Sequence, residues 1–99
     1  MPSPVVVQEA AALETELRAL LGHDKVGVRP YGRHLLIQML LDNAPHTVAR
    51  LTGLGQKNYA AAFRTHTGRW EPLPGVGSRS EAAHRVVSLL GAYLTPDNY

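Results

Sequence analysis

Histidine is the residue in this chain best suited to chemistry, and it occurs at positions 23, 34, 46, 66 and 84. An imidazole can shuttle a proton near neutral pH or ligate a metal, but either role needs partners at a defined spacing. No two of these histidines stand in a His-x-His or His-x-x-x-His relation. Folding can still bring one pair together: a hairpin centred on Gln56 sets His46 opposite His66, with Cα atoms about 5 Å apart. Asp42 is the one carboxylate expected at that end. Two imidazoles at a sheet margin are more simply read as solvated side chains, so neither a metal nor a cofactor is expected.

Other chemistries find less support. Gly53-Leu54-Gly55 and Gly75-Val76-Gly77 look like anion-binding loops, and the second precedes a helix start with Ser78, Arg79 and Ser80 as donors. Neither carries a dinucleotide fingerprint or the lysine of a P-loop. Loop-ending glycines explain both. The serines, at 3, 78, 80 and 88, lack the flanking glycines of a nucleophile elbow. Four of the eight acids precede Lys25, where they read as the solvated face of a helix rather than as paired catalytic carboxylates. An enzyme is the least expected class.

Cations are better organised. Residues 25–70 hold Lys25, Arg29, Arg33, Arg50, Lys57, Arg64 and Arg69 against Asp42 alone, a net of +6, whereas residues 1–24 carry −3 and residues 71–99 carry −1. Such asymmetry points to a polyanion or an acidic partner for the middle of the chain. The hairpin about Gln56 places Arg50, Arg64 and His66 on one sheet face with Gln38, and leaves Lys57, Tyr59 and Arg69 at its ends. Single-stranded nucleic acid is held by such faces through phosphate pairing and base stacking.

The elements that must position these residues are marked by periodicity and turns. Ser3-Pro4 can open a helix as N-cap and first residue. Val6, Ala10, Leu13, Leu17, Leu20 and Leu21 then recur at helical spacing up to Gly22, a C-terminal cap. Lys25 to Arg29 reads as a short edge strand, and His34 to Leu41 as a strand that is apolar on both sides. Asp42-Asn43-Ala44-Pro45 closes a hairpin that pairs Asp42 with His46, Ile37 with Leu51 and Met39 with Ala49. Gly53 to Asn58 turns the next hairpin, opposing Thr47 to Thr65, Ala49 to Phe63 and Leu51 to Ala61. A two-residue turn at Thr67-Gly68 leads into a short last strand, Trp70 to Leu73, with Trp70 beside Thr65 and turned inward. Pro74 to Gly77 should end the sheet. Ser78-Arg79-Ser80-Glu81 has capping-box spacing, and the helix it opens carries an apolar stripe from Ala82 to Leu94.

The expected fold is therefore α+β: a helix, a five-stranded antiparallel meander and a helix, with both helices packed on one face of the sheet. It forms a single domain over residues 1–99, with residues 1–3 and 96–99 as tails. There is no cysteine for a disulfide or a thiolate metal site. No apolar run approaches the ~20 residues of a membrane span, and the N-terminus lacks a basic signal-peptide region, so a cytoplasmic location is expected. The helix–strands–helix order is similar to that of double-stranded-RNA-binding domains in outline alone. Those have three strands and a basic end to the last helix, and here Arg79 and Arg85 lie in its first half. No residue role is carried over.

Two functions suit this object. The first is a non-enzymatic interaction module whose open sheet face, through Leu36, Gln38, Leu40 and Val48, docks a protein partner or a second copy as a homodimer. A strand with one wetted face should alternate, and His34 to Leu41 does not, so something should cover it. The second is nucleic-acid binding by Arg50, Lys57, Arg64, His66 and Arg69 on the same face.

Overall fold

The computed structural model describes residues 4–41 and 44–95. The N-cap role of Ser3, the turn at Asp42-Asn43 and the tail from Pro96 lie outside the described residues. Within them the order is α1 (Pro4–Leu21), β1 (Val26–Tyr31), β2 (His34–Leu40), β3 (Pro45–Gly55), β4 (Asn58–Arg64), β5 (Trp70–Gly77) and α2 (Arg79–Leu90), followed by a 3-10 turn, Gly91–Leu94. The strands form one antiparallel sheet in chain order. This is the expected α+β meander, with α1 lying along β1, α2 lying over β4 and β5, and the two helices touching each other.

Alternation decides which side is buried. Val26, Ile37, Met39, Ala49, Leu51 and Ala61 face Leu13 and Leu17 of α1 and Ala82, Ala83, Val86 and Leu90 of α2, and every one of them is buried. Ala49, Ala61, Ala82 and Ala83 all belong to this core, so side-chain bulk there is small. The helix ends follow the local chemistry. Gly22 has φ 75° and its N–H reaches the carbonyl of Arg18, while the Ser78 hydroxyl and the Glu81 carboxylate form the reciprocal capping box. No helix among the described residues is long and apolar enough to cross a membrane.

The β3–β4 register matches the sequence reading, with Ala49 opposite Phe63, Arg50 opposite Ala62 and Leu51 opposite Ala61. Its turn is tighter than the glycines suggest: Gln56 and Lys57, at φ 53° and 63°, form the two-residue loop, which costs side-chain-bearing residues some strain. The β2–β3 register differs by two residues. Ile37 pairs with Ala49 rather than Leu51, a shift that keeps the faces because strand periodicity is two.

Beyond Ile37 a β-bulge intervenes. Gln38 pairs with Thr47 and Met39 with His46, which leaves Val48 as the extra residue. Val48 and Ala49 both turn toward the helices, and Val48 is 6% exposed. This corrects the expected open-face position of Val48. It also exchanges the sides expected for its neighbours: Thr47 lies with Gln38 on the open face, and His46 lies with Met39 on the helix side. The last strand is likewise longer than expected. It pairs Ala62 with Pro72 and then Ala60 with Val76, so Leu73, Pro74 and Gly75 arch out between them before the strand resumes.

Neither sheet edge is left as a plain strand edge. Along β1, the Val28 N–H donates to Glu14 Oε1 at 3.0 Å, and Arg18 Nε donates to the Val26 carbonyl at 3.0 Å. Two α1 side chains thus make the bonds that another strand would make. Along β5, Pro72 and Pro74 lack N–H groups and the arch breaks the line.

A polar clasp fastens α1 to α2. Arg79 Nε donates to Glu16 Oε1 at 2.8 Å, its Nη1 pairs with Glu9 Oε2, and the Ser80 hydroxyl donates to Glu16 Oε2 at 2.6 Å. The Tyr59 hydroxyl of β4 donates to Glu9 Oε1 at 2.9 Å. Burial, this hydrogen bond and the Glu9 charge push the Tyr59 phenol up to about 12. Glu9 and Glu16 are therefore half-buried ligands of an arginine, not a solvated face.

Candidate nucleic-acid interface

The loop before β5 decides what the open face contains. Thr65 N–H donates to the Arg69 carbonyl at 2.8 Å and Gly68 N–H to the Thr65 carbonyl at 2.9 Å. Arg69 N–H also donates to Thr65 Oγ1 at 3.1 Å. His66, Thr67 and Gly68 therefore make a three-residue loop, with Gly68 at φ 85° in the left-handed position that such loops reserve for glycine. It is one residue longer than the expected two-residue turn. Every side chain of the following segment changes face.

As a result Trp70 pairs with Arg64, not beside Thr65, and shares its face. This corrects the inward placement expected for Trp70. The Arg50 guanidinium carbon lies 4.4 Å from the centroid of the Trp70 ring, and that of Arg64 lies 5.7 Å away. Both distances are within cation–π range. The two arginines and the indole form one cluster over β3, β4 and β5.

Register extends the cluster across the sheet. Leu36 stands between Arg29 on β1 and Arg50 on β3. In the next row Tyr31, which is 63% exposed, neighbours His34, which neighbours Thr52. His34 Nδ1 and Thr52 Oγ1 are 2.9 Å apart, and Gln38 Nε2 donates to Thr47 Oγ1 at 3.0 Å. Burial, with the charges of Arg50 and Arg33, holds the His34 imidazole below its ordinary value near 6.5. Glu71, the one acid in the five strands, pairs with Phe63 and so lies on the helix side.

The apolar strip is smaller than expected. Val48 has left it, Leu36 is half-buried between two arginines, and Leu40 is 39% exposed. The Leu40 side chain lies against Gly27, where a β-carbon would come within 3.2 Å of Leu40 Cδ2. Lys57 lies in the β3–β4 turn, and Arg69 is exposed in the β4–β5 loop. His66 leaves the cationic group for a cleft on the helix side, which His46 also lines. The two histidines are thus brought to one place, but not on the face of Arg50. No group of three or more potential metal ligands occurs among the described residues.

Arg29, Tyr31 and His34 complete the face without having been assigned to it from the sequence, and Trp70 joins it against the inward placement expected. For Trp70 a signal existed: glycine as the third residue of His66-Thr67-Gly68 is the mark of the three-residue loop. Comparison with protein-family models, with curated proteins and with solved structures finds no match to this chain.

Proposed function

We propose that the chain is a small non-enzymatic binding module whose open sheet face docks single-stranded nucleic acid. The observation that carries this reading is the cluster of Trp70 with Arg50 and Arg64 on a face whose strands contribute no acid. Arginines pair with phosphates, while indole and phenol rings offer planes on which unpaired bases stack. Self-complementarity is poorer. A two-fold dimer sets a face against its own copy, so Arg29, Arg50 and Arg64 would meet other cations. A cytoplasmic setting goes with this reading.

The chain has a single tryptophan, so its intrinsic fluorescence reports directly on Trp70. Titration with a 20-nucleotide single strand should quench that emission. Affinity should fall with salt at a logarithmic slope of about −0.7 per phosphate contacted. Arg50→Ala and Arg64→Ala should each weaken binding and reduce the slope by about 0.7. Trp70→Ala, followed with a labelled strand, should weaken binding by about 1–3 kcal/mol at unchanged slope. Binding that these substitutions leave unaltered would refute the assignment.

A pH arm follows from His34. A bound phosphate would offset the Arg50 and Arg33 charges that disfavour its protonated form, so binding raises its pKa and takes up a proton. Affinity should therefore rise as pH falls through the region of 6.5 and below. His34→Gln should flatten that dependence.

Self-association remains the second reading, favoured by the 39% exposure of Leu40 next to Leu36. Burying such a leucine gains roughly 1.5–3 kcal/mol, which two copies would both collect. Sedimentation at high micromolar concentration should then show a dimer that Leu40→Glu splits into folded monomers. A monomer throughout, without nucleic acid, would leave the face to the polynucleotide.

A further inference from the structure

We propose that a second site, on the helix side of the sheet, binds a small organic anion with an aromatic or apolar body. A cleft of about 810 Å³ opens where β3 begins and β4 ends, beneath the C-terminal end of α2. That volume lies within the range of small-molecule sites, which pair an apolar wall with a few polar groups. Val48 and Phe63 supply apolar wall from the sheet, and Leu90 and Tyr93 supply it from the helical side. Phe63 is only half-buried, unlike Ala49 and Ala61 on the same side, because it lies where the cleft opens.

The bulge builds this site. By turning Val48 toward the helices it adds an apolar wall, and by reversing the side of His46 it brings an imidazole to a cleft that His66 reaches from the β4–β5 loop. Arg64 also contributes to the lining, and among the described residues no acid does. The lining is thus complementary to negative charge at its polar end and to a ring system at its apolar end. A carboxylate or sulfonate on an aromatic body satisfies both. Arg64 is shared with the open face, whereas Arg50 and Trp70 take no part in the cleft.

Two fluorescent probes of nearly equal shape test the assignment. Anilinonaphthalene sulfonate carries the anion, and N-phenyl-1-naphthylamine is the same ring system without it. The sulfonate should bind saturably with one site per chain and about tenfold more tightly than the uncharged probe. On labelled protein it should shift the amide resonances of Val48, Phe63 and Leu90 and leave those of Arg50 and Trp70 in place. His46→Glu should reduce the affinity by about tenfold or more, equivalent to ~1.4 kcal/mol, while His46→Lys should retain it. Trp70→Ala should leave probe binding unaltered while weakening that of the oligonucleotide, so loss of this site and loss of the sheet-face site give different results. Equal affinity for both probes, non-saturable binding, shifts centred on Arg50 and Trp70, or indifference to His46→Glu would each overturn the proposal.

Discussion

Replacing Ile37 with alanine should destabilise the fold by about 2–5 kcal/mol, the largest single effect expected in this chain. Ile37 is fully buried on an inner strand of the sheet, with Val28 and Ala49 as its cross-strand neighbours. Truncation removes the transfer free energy of three carbons and leaves a cavity. Its neighbours are poorly placed to fill that cavity, since Ala49 is already minimal and Val28 is short and branched. The cost should fall in the upper half of the range. For a domain of this size it should lower the melting midpoint by more than roughly 10 °C. Urea unfolding would check it, and a loss under about 1 kcal/mol would mean that Ile37 is not where the sheet places it.

Arg79→Ala should produce the second large loss, about 1–3 kcal/mol. The clasp is partly shielded: Arg79, Glu9 and Glu16 side chains retain 30%, 26% and 25% exposure. Its worth should therefore exceed the ~0.2–1 kcal/mol of a solvated pair and stay below the 3–5 kcal/mol of breaking a fully buried one. Removing Arg79 leaves two half-buried carboxylates facing each other beside the Tyr59 hydroxyl.

Acid should erase the difference between Arg79→Ala and the parent chain. Burial alone would raise the Glu16 carboxyl, but hydrogen bonds from Ser80 and Arg79 and the Arg79 charge outweigh it and hold the group below 4.5. A carboxyl depressed in the folded state stabilises it fully above its unfolded value and loses that contribution as pH falls through the folded one. Urea midpoints of the two proteins should differ most at pH 7 and converge below the ordinary carboxylate range. A gap that persists unchanged in strong acid would assign the loss to packing of the Arg79 stem instead.

The parts of the fold that were legible rest on local signals. Gly53 to Asn58 is a turn by composition, so the pairing of Ala49 with Phe63 follows from the residues alone. The Ser78–Glu81 box and the Gly22 cap were legible for the same reason, being contacts across three or four residues. What failed was counting. One extra residue at Val48 and one at the His66–Gly68 loop each reverse a face, and neither changes the hydrophobic pattern enough to announce itself. Those two residues carried Val48 out of the candidate site and Trp70 into it. The clasp was hidden for another reason: Glu9 and Glu16 lie more than sixty residues from Arg79, and only the packed helices bring them together.

The closed margins of the sheet limit how this molecule can multiply. An uncapped strand is a template on which the next chain can be copied, and growth of that kind has no natural end. Here Glu14 and Arg18 already fill one margin, and the Pro72–Gly75 arch interrupts the other. Strand-by-strand growth is thereby disfavoured at both margins, and the flat side of the sheet is left as the open surface. Whatever settles there completes the particle, whether a strand of nucleic acid or a twin. Crowding along a polynucleotide would line up discrete beads, not seed a fibre. Glu14→Ala with Arg18→Ala would unmask a margin, and the chemistry of recognition would then compete with polymerisation.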